Sequence, residues 1–327
     1  MSAVSNEHRE PLLQEIPWRD ESISRIILGT AQLGMDYGIA NRLGQPDQRG
    51  ATAIIESAWR HGIRHFDTAQ AYGASERVLG RALRDLGVSG QAHVASKLSA
   101  QLDPAHVSEL EASIERTFES LGTDRLWCMM LHTASWLDGW ERGLGDLLLR
   151  YRRSGRFQHL GVSLNSPTEA ARCLAHPDME VLQIACNAWD RRMTRLGVLE
   201  TARTNGRLCC VRSIYLKGLL TLPVEEVAAR LPIAREASTR WHGVAARYGV
   251  SPVELAVRFA MTLEQPLVVG AETPAQIADT VRIAHRGPLS HDIIDALGAA
   301  LDPVVDDTIL TPRRWEDLDG VVLTPGR

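Results

Sequence analysis

The sequence of 327 residues predicts a (β/α)8 TIM barrel with extra helices after the seventh strand and at the C-terminus. Short apolar runs alternate with longer amphipathic stretches. The runs do not alternate polar with apolar residues, which is typical of parallel strands buried on both faces. There are eight of them, in a length that suits one barrel. No linker or change of composition marks a boundary, so residues 1–327 are expected to form a single domain.

The eight predicted strands are residues 25–28, 63–67, 93–97, 126–131, 160–163, 181–185, 208–213 and 267–269. The amphipathic stretches between them predict helices over residues 51–60, 75–86, 104–121, 143–153, 167–175, 195–205, 253–262 and 274–284. More residues separate 213 from 267 than one helix needs. Extra helices are therefore predicted at 223–231 and 234–248, and a late addition at 291–301 is followed by a tail to 327.

Composition excludes several classes of protein. A net charge of −4 and a pI near 6.3 argue against a nucleic-acid partner. No apolar run approaches the roughly 18 residues of a membrane span, so no membrane partner is expected. Residues 1–24 are polar, with no apolar core for a signal peptide. The five cysteines lack metal spacing, and buried free thiols in a cytoplasmic protein without a metal are the expectation.

Three consecutive predicted strands end in residues that can do acid–base chemistry. The second ends at Asp67, the third at Lys97 and the fourth at His132, and the loop after Asp67 adds Tyr72. Active sites of barrels lie at the C-terminal ends of the strands, so the four side chains should share one rim. Only Lys97 and Lys217 are lysines among 36 basic residues, and a lysine that survives in such a background is a candidate for a role that arginine cannot fill.

These four groups suit carbonyl reduction. A tyrosine hydroxyl has a pKa near 10, and a neighbouring ammonium lowers it toward that of a useful proton donor. Asp67 would hold Lys97, and a neutral His132 would donate a hydrogen bond to the carbonyl oxygen. No side chain supplies hydride, so a nicotinamide cofactor is implied. Alternatively, Asp67 and Lys97 form a structural ion pair, His132 is a core residue and Tyr72 anchors a loop.

The chain resembles the aldo-keto reductases. The most specific likeness is Phe66-Asp67-Thr68-Ala69-Gln70-Ala71-Tyr72-Gly73, and further matches cover nearly the whole chain. The resemblance implies a (β/α)8 barrel, the catalytic residues Asp67, Tyr72, Lys97 and His132 with Tyr72 as general acid, and usually NADPH. The residues that it assigns to the cofactor are Gly29, Thr30, Ala31, Asp67, Ser163, Asn165, Gln183, Arg212, Ser213, Leu216, Lys217, Gly218, Gly270, Ala271, Glu272, Thr273, Gln276 and Asp279.

NADP(H) is the expected cofactor, and NAD(H) stays an alternative. Family usage favours NADP(H), whereas Glu272 favours NAD(H), because a carboxylate repels a 2′-phosphate and accepts a hydrogen bond from a ribose hydroxyl. Arg282 is an alternative phosphate partner. Leu164 stands where the family often has an asparagine, and Asn165 follows one place later.

The substrate is expected to be a small carbonyl compound that contacts Tyr72 and His132. Residues 28–40 resemble bacterial members found near sugar and polysaccharide biosynthesis, which suggests a sugar or sugar derivative. Trp136, Trp140 and Trp189 could offer flat ring faces to it, although packing of loops onto the barrel is the alternative. Two other functions stay open: a nicotinamide-binding sensor subunit with little turnover, and a barrel that uses tyrosine chemistry for elimination or epimerisation. The oligomeric state is not predicted.

Overall fold

The computed structural model describes residues 12–318 and residue 321, so the end of the predicted tail and residues 1–11 of the polar N-terminal segment lie outside the described part. Eight parallel strands close into a barrel, which confirms the predicted fold class. An antiparallel hairpin precedes them, formed by β1 (Ile16–Trp18) and β2 (Glu21–Ile23). The barrel strands are β3 (Ile26–Gly29), β4 (His65–Asp67), β5 (His93–Leu98), β6 (Leu126–Leu131), β7 (Phe157–Leu164), β8 (Val181–Ala185), β9 (Leu208–Arg212) and β10 (Leu267–Gly270).

The strands follow one another around the barrel in chain order, and the last one pairs with the first. Leu267 of β10 lies opposite both Ile26 of β3 and Val211 of β9, which closes the ring. Because all strands are parallel, their C-terminal ends meet at one rim. The polar residues that sequence analysis found at the ends of the predicted strands are expected at that rim.

Thirteen α-helices of the described chain surround the barrel. They are α1 (Ala31–Gly34), α2 (Gln48–Arg60), α3 (Ser75–Asp85), α4 (Val107–Leu121), α5 (Leu144–Arg153), α6 (Pro167–Ala175), α7 (Arg192–Arg195), α8 (Val198–Thr204), α9 (Val224–Arg230), α10 (Arg235–Arg247), α11 (Pro252–Met261), α12 (Pro274–Ala284) and α13 (His291–Leu301). The longest 3-10 segments are Ala134–Arg142, Leu216–Thr221 and Pro312–Asp317. None of the described helices is both long and apolar enough to cross a membrane.

Local sequence explains where several helices begin. Ser166, Ser251 and Thr273 each stand immediately before a proline and accept a hydrogen bond from the backbone N–H three residues later. Such N-caps satisfy an otherwise unpaired donor, and proline at the first helical position has the helical φ already. These signals fix α6, α11 and α12, the helices that follow β7 and flank β10.

The hairpin covers the N-terminal end of the barrel, and sequence analysis missed it because each strand has only three residues. Trp18 packs in an apolar cluster inside the barrel. Glu21 accepts hydrogen bonds from Trp127 Nε1 at 2.9 Å and pairs with His159 Nε2 at 2.6 Å. On its other side His159 lies 3.2 Å from Glu180. Polar contacts at this end of a barrel serve stability, which leaves the opposite rim for chemistry.

The predicted extra helices build a second apolar cluster beside the barrel. It contains α9, α10 and α13 and is centred on the fully buried Trp241. Trp241 Nε1 donates to the carbonyl of Leu220 at 3.0 Å, so the cluster holds the segment Leu216–Thr221 in place. Trp315 of the C-terminal 3-10 helix packs in the same cluster. The additions therefore support the loop after β9 and bring the end of the described chain to the functional rim.

Candidate active site

The four rim residues predicted from the sequence lie together at the C-terminal ends of β4, β5 and β6. Asp67 is the last residue of β4, and Lys97 is the penultimate residue of β5. His132 directly follows β6. Tyr72 stands in the loop that precedes α3, and that loop packs very closely on the short helix α1. A Cβ on Gly34 would lie 2.0 Å from the carbonyl oxygen of Tyr72, so only glycine permits this approach.

Lys97 and Asp67 form a buried, fully hydrogen-bonded ion pair. Lys97 Nζ is 2.7 Å from each carboxylate oxygen of Asp67 and 2.9 Å from the carbonyl of Thr68. The lysine side chain has no exposed surface. Burial lowers the pKa of Lys97, but the charges and hydrogen bonds of Asp67 and Tyr72 outweigh it and raise this pKa above its ordinary value. Lys97 is therefore an ammonium at neutral pH.

Tyr72 lies between this ammonium and His132. Lys97 Nζ is 4.8 Å from the centroid of the Tyr72 ring. The rings of Tyr72 and His132 meet edge to face, with centroids 6.0 Å apart. Burial, and then the charges of Lys97, Arg212 and Arg313, lower the pKa of His132 to about 4. His132 is thus neutral at pH 7 and can donate one N–H without adding a charge.

Gln183 extends the ion pair across the barrel. Its Nε2 donates to Asp67 Oδ1 at 2.6 Å, although β8 lies four strands away from β4 around the ring. The other side-chain atom, Oε1, is buried and has no hydrogen-bond partner among the described residues. Gln183 thus both fixes Asp67 and keeps one acceptor free.

A groove with a cavity of about 370 Å³ runs from this centre over the ends of β3, β9 and β10. Twelve of the residues predicted to bind cofactor line it. They are Gly29, Thr30, Ala31, Asp67, Arg212, Ser213, Lys217, Gly218, Gly270, Glu272, Gln276 and Asp279.

Six other predicted cofactor residues do not line the cavity. Leu216 and Ala271 are packed in the apolar clusters. Thr273 uses its hydroxyl to cap α12. Ser163 and Gln183 are buried at the ends of β7 and β8. Asn165 turns its Oδ1 to the guanidinium of Arg212, at 2.7 Å. The side chains of Leu216 and Ala271 thus face the core, and a contact of either residue with a cofactor would come from its backbone.

The loop after β9 has an unusual backbone. Ser213, Leu216 and Lys217 have φ angles of 62°, 48° and 54°, in the left-handed region that side chains disfavour. Gly218 adds a φ of 95°, and a Cβ there would lie 2.6 Å from Ala40. Strained backbone of this kind clusters at ligand sites, and here Ser213, Lys217 and Gly218 line the cavity.

The far end of the groove is acidic. Burial raises the pKa of Glu272, the Gln276 side chain opposes that shift, and the charge of Asp36 adds to it. Arg282, the alternative phosphate partner, pairs instead with Asp279 at 2.9 Å. No arginine or lysine among the described residues forms an ion pair with Glu272.

The structure corrects the prediction that three tryptophans offer ring faces to substrate. Trp136, Trp140 and Trp189 are only 4%, 8% and 3% exposed, and none lines the cavity. Trp140 packs against the ring of His176, with centroids 4.5 Å apart. The segment after His132 folds into the 3-10 helix Ala134–Arg142, which turns its apolar side chains to the core. Packing of loops is the role that the structure supports.

Sequence analysis did not identify two residues that act at this rim, Tyr37 and Arg313. Tyr37 lines the cavity, and burial followed by the charge of Tyr72 raises its pKa. The sequence held a usable signal for Tyr37, because it is one of only five tyrosines and follows soon after the first predicted strand, residues 25–28. Arg313 lies some 180 residues beyond His132 in the sequence, and no local pattern connects the two.

Comparison with known proteins agrees with this architecture. The model of the Aldo/keto reductase family matches residues 25–302. The chain is 25% identical to aldo-keto reductase YhdN of Bacillus subtilis (strain 168), covering 88% of this chain and 92% of the relative. It is also 25% identical to D-threo-aldose 1-dehydrogenase of Pseudomonas sp, covering 78% and 90%. The fold is similar to the holo form of an aldo-keto reductase from Bacillus halodurans, with a TM-score of 0.74, 17% identity and coverage of 91% and 99%.

Proposed function

Because the chain belongs to the aldo/keto reductase family, we propose that it reduces an aldehyde or ketone to an alcohol with Tyr72 as the proton donor. Membership makes it an oxidoreductase, and carbonyl reduction with a nicotinamide cofactor is the general reaction. The observation that carries the proposal is the Lys97 ammonium, which is wholly buried and lies 4.8 Å from the Tyr72 ring. A structural ion pair alone would not need a tyrosine and a neutral histidine beside it.

The side chains divide the work of polarising a carbonyl. His132 donates its N–H to the carbonyl oxygen and orients it toward Tyr72. The Tyr72 hydroxyl then passes its proton to that oxygen as negative charge develops there. The Lys97 ammonium stabilises the phenolate that remains, and Asp67 holds the ammonium in place at 2.7 Å. Gln183 in turn fixes Asp67, so the proton donor rests on a rigid chain of hydrogen bonds.

The groove fits a nicotinamide dinucleotide. The bound nicotinamide supplies the hydride. Gln183 Oε1, a buried acceptor without a partner among the described residues, suits the N–H of the carboxamide, together with Ser163 and Asn165. Lys217 and Gly218 would hold the pyrophosphate beside the strained loop, and Lys217 forms no ion pair with a described carboxylate that would compete.

The acidic end of the groove favours NADH over the NADPH that is usual in the family. Glu272 lines the cavity, and the charge of Asp36 acts on it. Two carboxylates close to the adenosine ribose repel a 2′-phosphate, whereas either accepts a hydrogen bond from a 2′-hydroxyl. Arg282 does not offset them, because it pairs with Asp279.

The substrate class that the relatives suggest is a sugar aldehyde or a related polyol. One relative is named D-threo-aldose 1-dehydrogenase. We propose that the substrate of this chain is a carbonyl compound as polar as a sugar aldehyde. A sensor subunit or an elimination reaction stays an alternative, and neither needs net oxidation of the cofactor.

Tyr72→Phe tests the proposal. The variant should lose at least about 100-fold in kcat for carbonyl reduction, because phenylalanine has no proton to give. Its affinity for NADH, followed by quenching of tryptophan fluorescence, should stay within about twofold of wild type. Tyr248→Phe is the matched control, because its hydroxyl makes a single 3.4 Å contact with the Asp292 carbonyl and lies outside the groove.

The assay follows the absorbance of the reduced cofactor at 340 nm with a panel of aldehydes, ketones and sugars. Near-normal turnover by Tyr72→Phe would remove Tyr72 from the proton-donor role. A wild-type protein that binds NADH but oxidises it with none of the panel would favour the sensor interpretation. Conversion of substrate without change at 340 nm would favour elimination or epimerisation.

A further inference from the structure

Positive charge collects at the mouth of the barrel without matching acidic partners. Arg212 and Lys217 line the cavity, and Arg313 lies on the 3-10 helix Pro312–Asp317, whose Trp315 packs in the same apolar cluster as Leu216 of the loop after β9. Among the described residues, no carboxylate lies within 4.0 Å of the charged nitrogens of these three side chains. Elsewhere on the surface arginines commonly pair, as Arg192 does with Asp307 at 2.9 Å.

Arg212 is held in place at the rim. Its Nη2 donates to the Leu164 carbonyl at 2.9 Å and to Asn165 Oδ1 at 2.7 Å, and its Nη1 donates to Ser213 Oγ at 3.1 Å. All three acceptors are neutral, so the guanidinium keeps its full charge. A planar cation fixed along one edge is preorganised to bind an oxyanion with the donors that remain.

Arg313 is placed by the packing of its own short helix. Trp315, two residues later, is 1% exposed and lies in the apolar cluster that holds Leu216 and Leu219. Trp315 Nε1 donates to the Ile309 carbonyl at 3.1 Å. The helix is thereby fixed against the loop of Lys217, while the side chain of Arg313 stays exposed.

The charge of Arg313 reaches the catalytic centre. After burial and the charge of Lys97, Arg212 and Arg313 both contribute to the lowered pKa of His132. Burial lowers the pKa of Lys217 as well, and Arg313 adds to that shift while Glu316 opposes it. Glu316 is the one acid of this helix among the charges that act on Lys217. The charges of Lys97, Arg212 and Arg313 thus all act on His132, the residue that faces the Tyr72 ring.

We propose that the carbonyl substrate carries an oxyanion, a carboxylate or a phosphate ester, which Arg313 binds at the mouth of the barrel together with Arg212, a residue that only the family resemblance assigned to the cofactor. This inference rests on the proposed function, because His132 and Tyr72 must hold the carbonyl end of the same molecule. Lys217 lines the cavity next to Gly218 and is left to the phosphates of the cofactor. Uncompensated cations in a partly desolvated mouth raise both the local concentration of an anionic substrate and its affinity.

Arg313→Gln tests the site, and Arg314→Gln is the matched control. The two arginines are neighbours on one 3-10 helix and both are exposed, but only Arg313 acts on His132. Two substrate pairs differ mainly in charge: glyceraldehyde 3-phosphate with glyceraldehyde, and 4-carboxybenzaldehyde with benzaldehyde. In wild type we expect kcat/KM to be about tenfold higher for the anionic member of each pair.

In Arg313→Gln this ratio should fall by roughly fivefold to tenfold, and in Arg314→Gln it should stay within about twofold of wild type. The preference should also shrink as the salt concentration rises from about 0.05 to 0.5 M, because exposed charges are screened. Equal ratios in the two variants, or no preference for the anion in wild type, would overturn the proposal.

Binding of glycerol 3-phosphate and of glycerol, measured by calorimetry with and without saturating NAD⁺, separates this site from the cofactor site. Glycerol 3-phosphate should bind with the cofactor present, and about fivefold more weakly to Arg313→Gln. Its displacement by NAD⁺ would mean that the phosphate occupies the cofactor groove, which overturns the proposal. Reduction of neutral aldehydes without any preference for anions would end this inference and leave the proposed function intact. Binding of glycerol 3-phosphate that depends on Arg313, in a protein that reduces no carbonyl compound, would support the anion site and contradict the proposed function.

Discussion

Removal of the charge on Asp67 should destabilise the protein more than removal of Lys97. Asp67→Asn keeps the shape of the side chain but leaves the buried Lys97 ammonium without an anionic partner, with only neutral acceptors such as the Thr68 carbonyl at 2.9 Å. Lys97→Met removes the cation and leaves the carboxylate of Asp67 with the Gln183 Nε2 donor at 2.6 Å. Asp67 also lines the cavity, and its side chain is 6% exposed, whereas that of Lys97 has no exposed surface. The double variant removes both charges at once.

The magnitudes follow from the surroundings of each group. An uncompensated charge left by breaking a buried pair costs about 3–5 kcal/mol, and Lys97 has no exposed surface, so Asp67→Asn should lie in that range. Lys97→Met should cost about 2–3 kcal/mol, because its carboxylate partner keeps a charge-assisted hydrogen bond. The double variant should be at least about 2 kcal/mol more stable than the sum of the two losses predicts.

Urea unfolding, followed by the fluorescence of the eight tryptophans, measures these free energies in all four proteins. The double-mutant cycle isolates the coupling between the two charges, and none of the three variants should reduce carbonyl compounds at the wild-type rate. A cycle that closes within about 0.5 kcal/mol of additivity would refute the reasoning, because it would mean that the pair makes no net electrostatic contribution.

Two further predictions concern the cofactor and the response to acid. Glu272→Arg should shift the ratio of the dissociation constants for NADH and NADPH toward NADPH by about tenfold, because it replaces repulsion of a 2′-phosphate by attraction. Fluorescence titration measures both constants, and a ratio that does not move would remove Glu272 from cofactor selection. Burial, and then the charge of His93, lower the pKa of His65 to about 3. The unfolded chain binds this proton near pH 6.5, so the free energy of unfolding should fall by up to about 1.4 kcal/mol for each pH unit between 6.5 and 3. His65→Asn removes this titrating group, and its Oδ1 can still accept a hydrogen bond from the Ser24 backbone N–H, as His65 Nδ1 does at 3.3 Å. In urea unfolding at pH 7, 5.5 and 4.5, the free energy of unfolding of the variant should fall less steeply with decreasing pH than that of wild type. An unchanged slope would contradict the argument.

The barrel was predictable because its signals are local. Residues 126–131 are apolar throughout and residues 181–185 are apolar apart from Gln183, and the structure has strands with those bounds. Proline and a capping hydroxyl mark the starts of α6 and α12, whose predicted bounds also agree. The parallel topology then brings the ends of neighbouring strands together. The gathering of Asp67, Lys97 and His132 at one rim therefore followed from the order of the strands.

The sequence by itself determined the fold class, the rim on which the polar residues lie and the residues that can do chemistry there, since each depends on a short pattern and on chain order. Only the tertiary structure decided which side chains are covered and which charges meet across long stretches of chain. Trp136 and Trp140 are buried because the segment after His132 folds back onto the core. Arg313 acts on His132 because the C-terminal helix packs beside the loop after β9. Burial and long-range electrostatics depend on what lies nearby in space, and no local pattern encodes that.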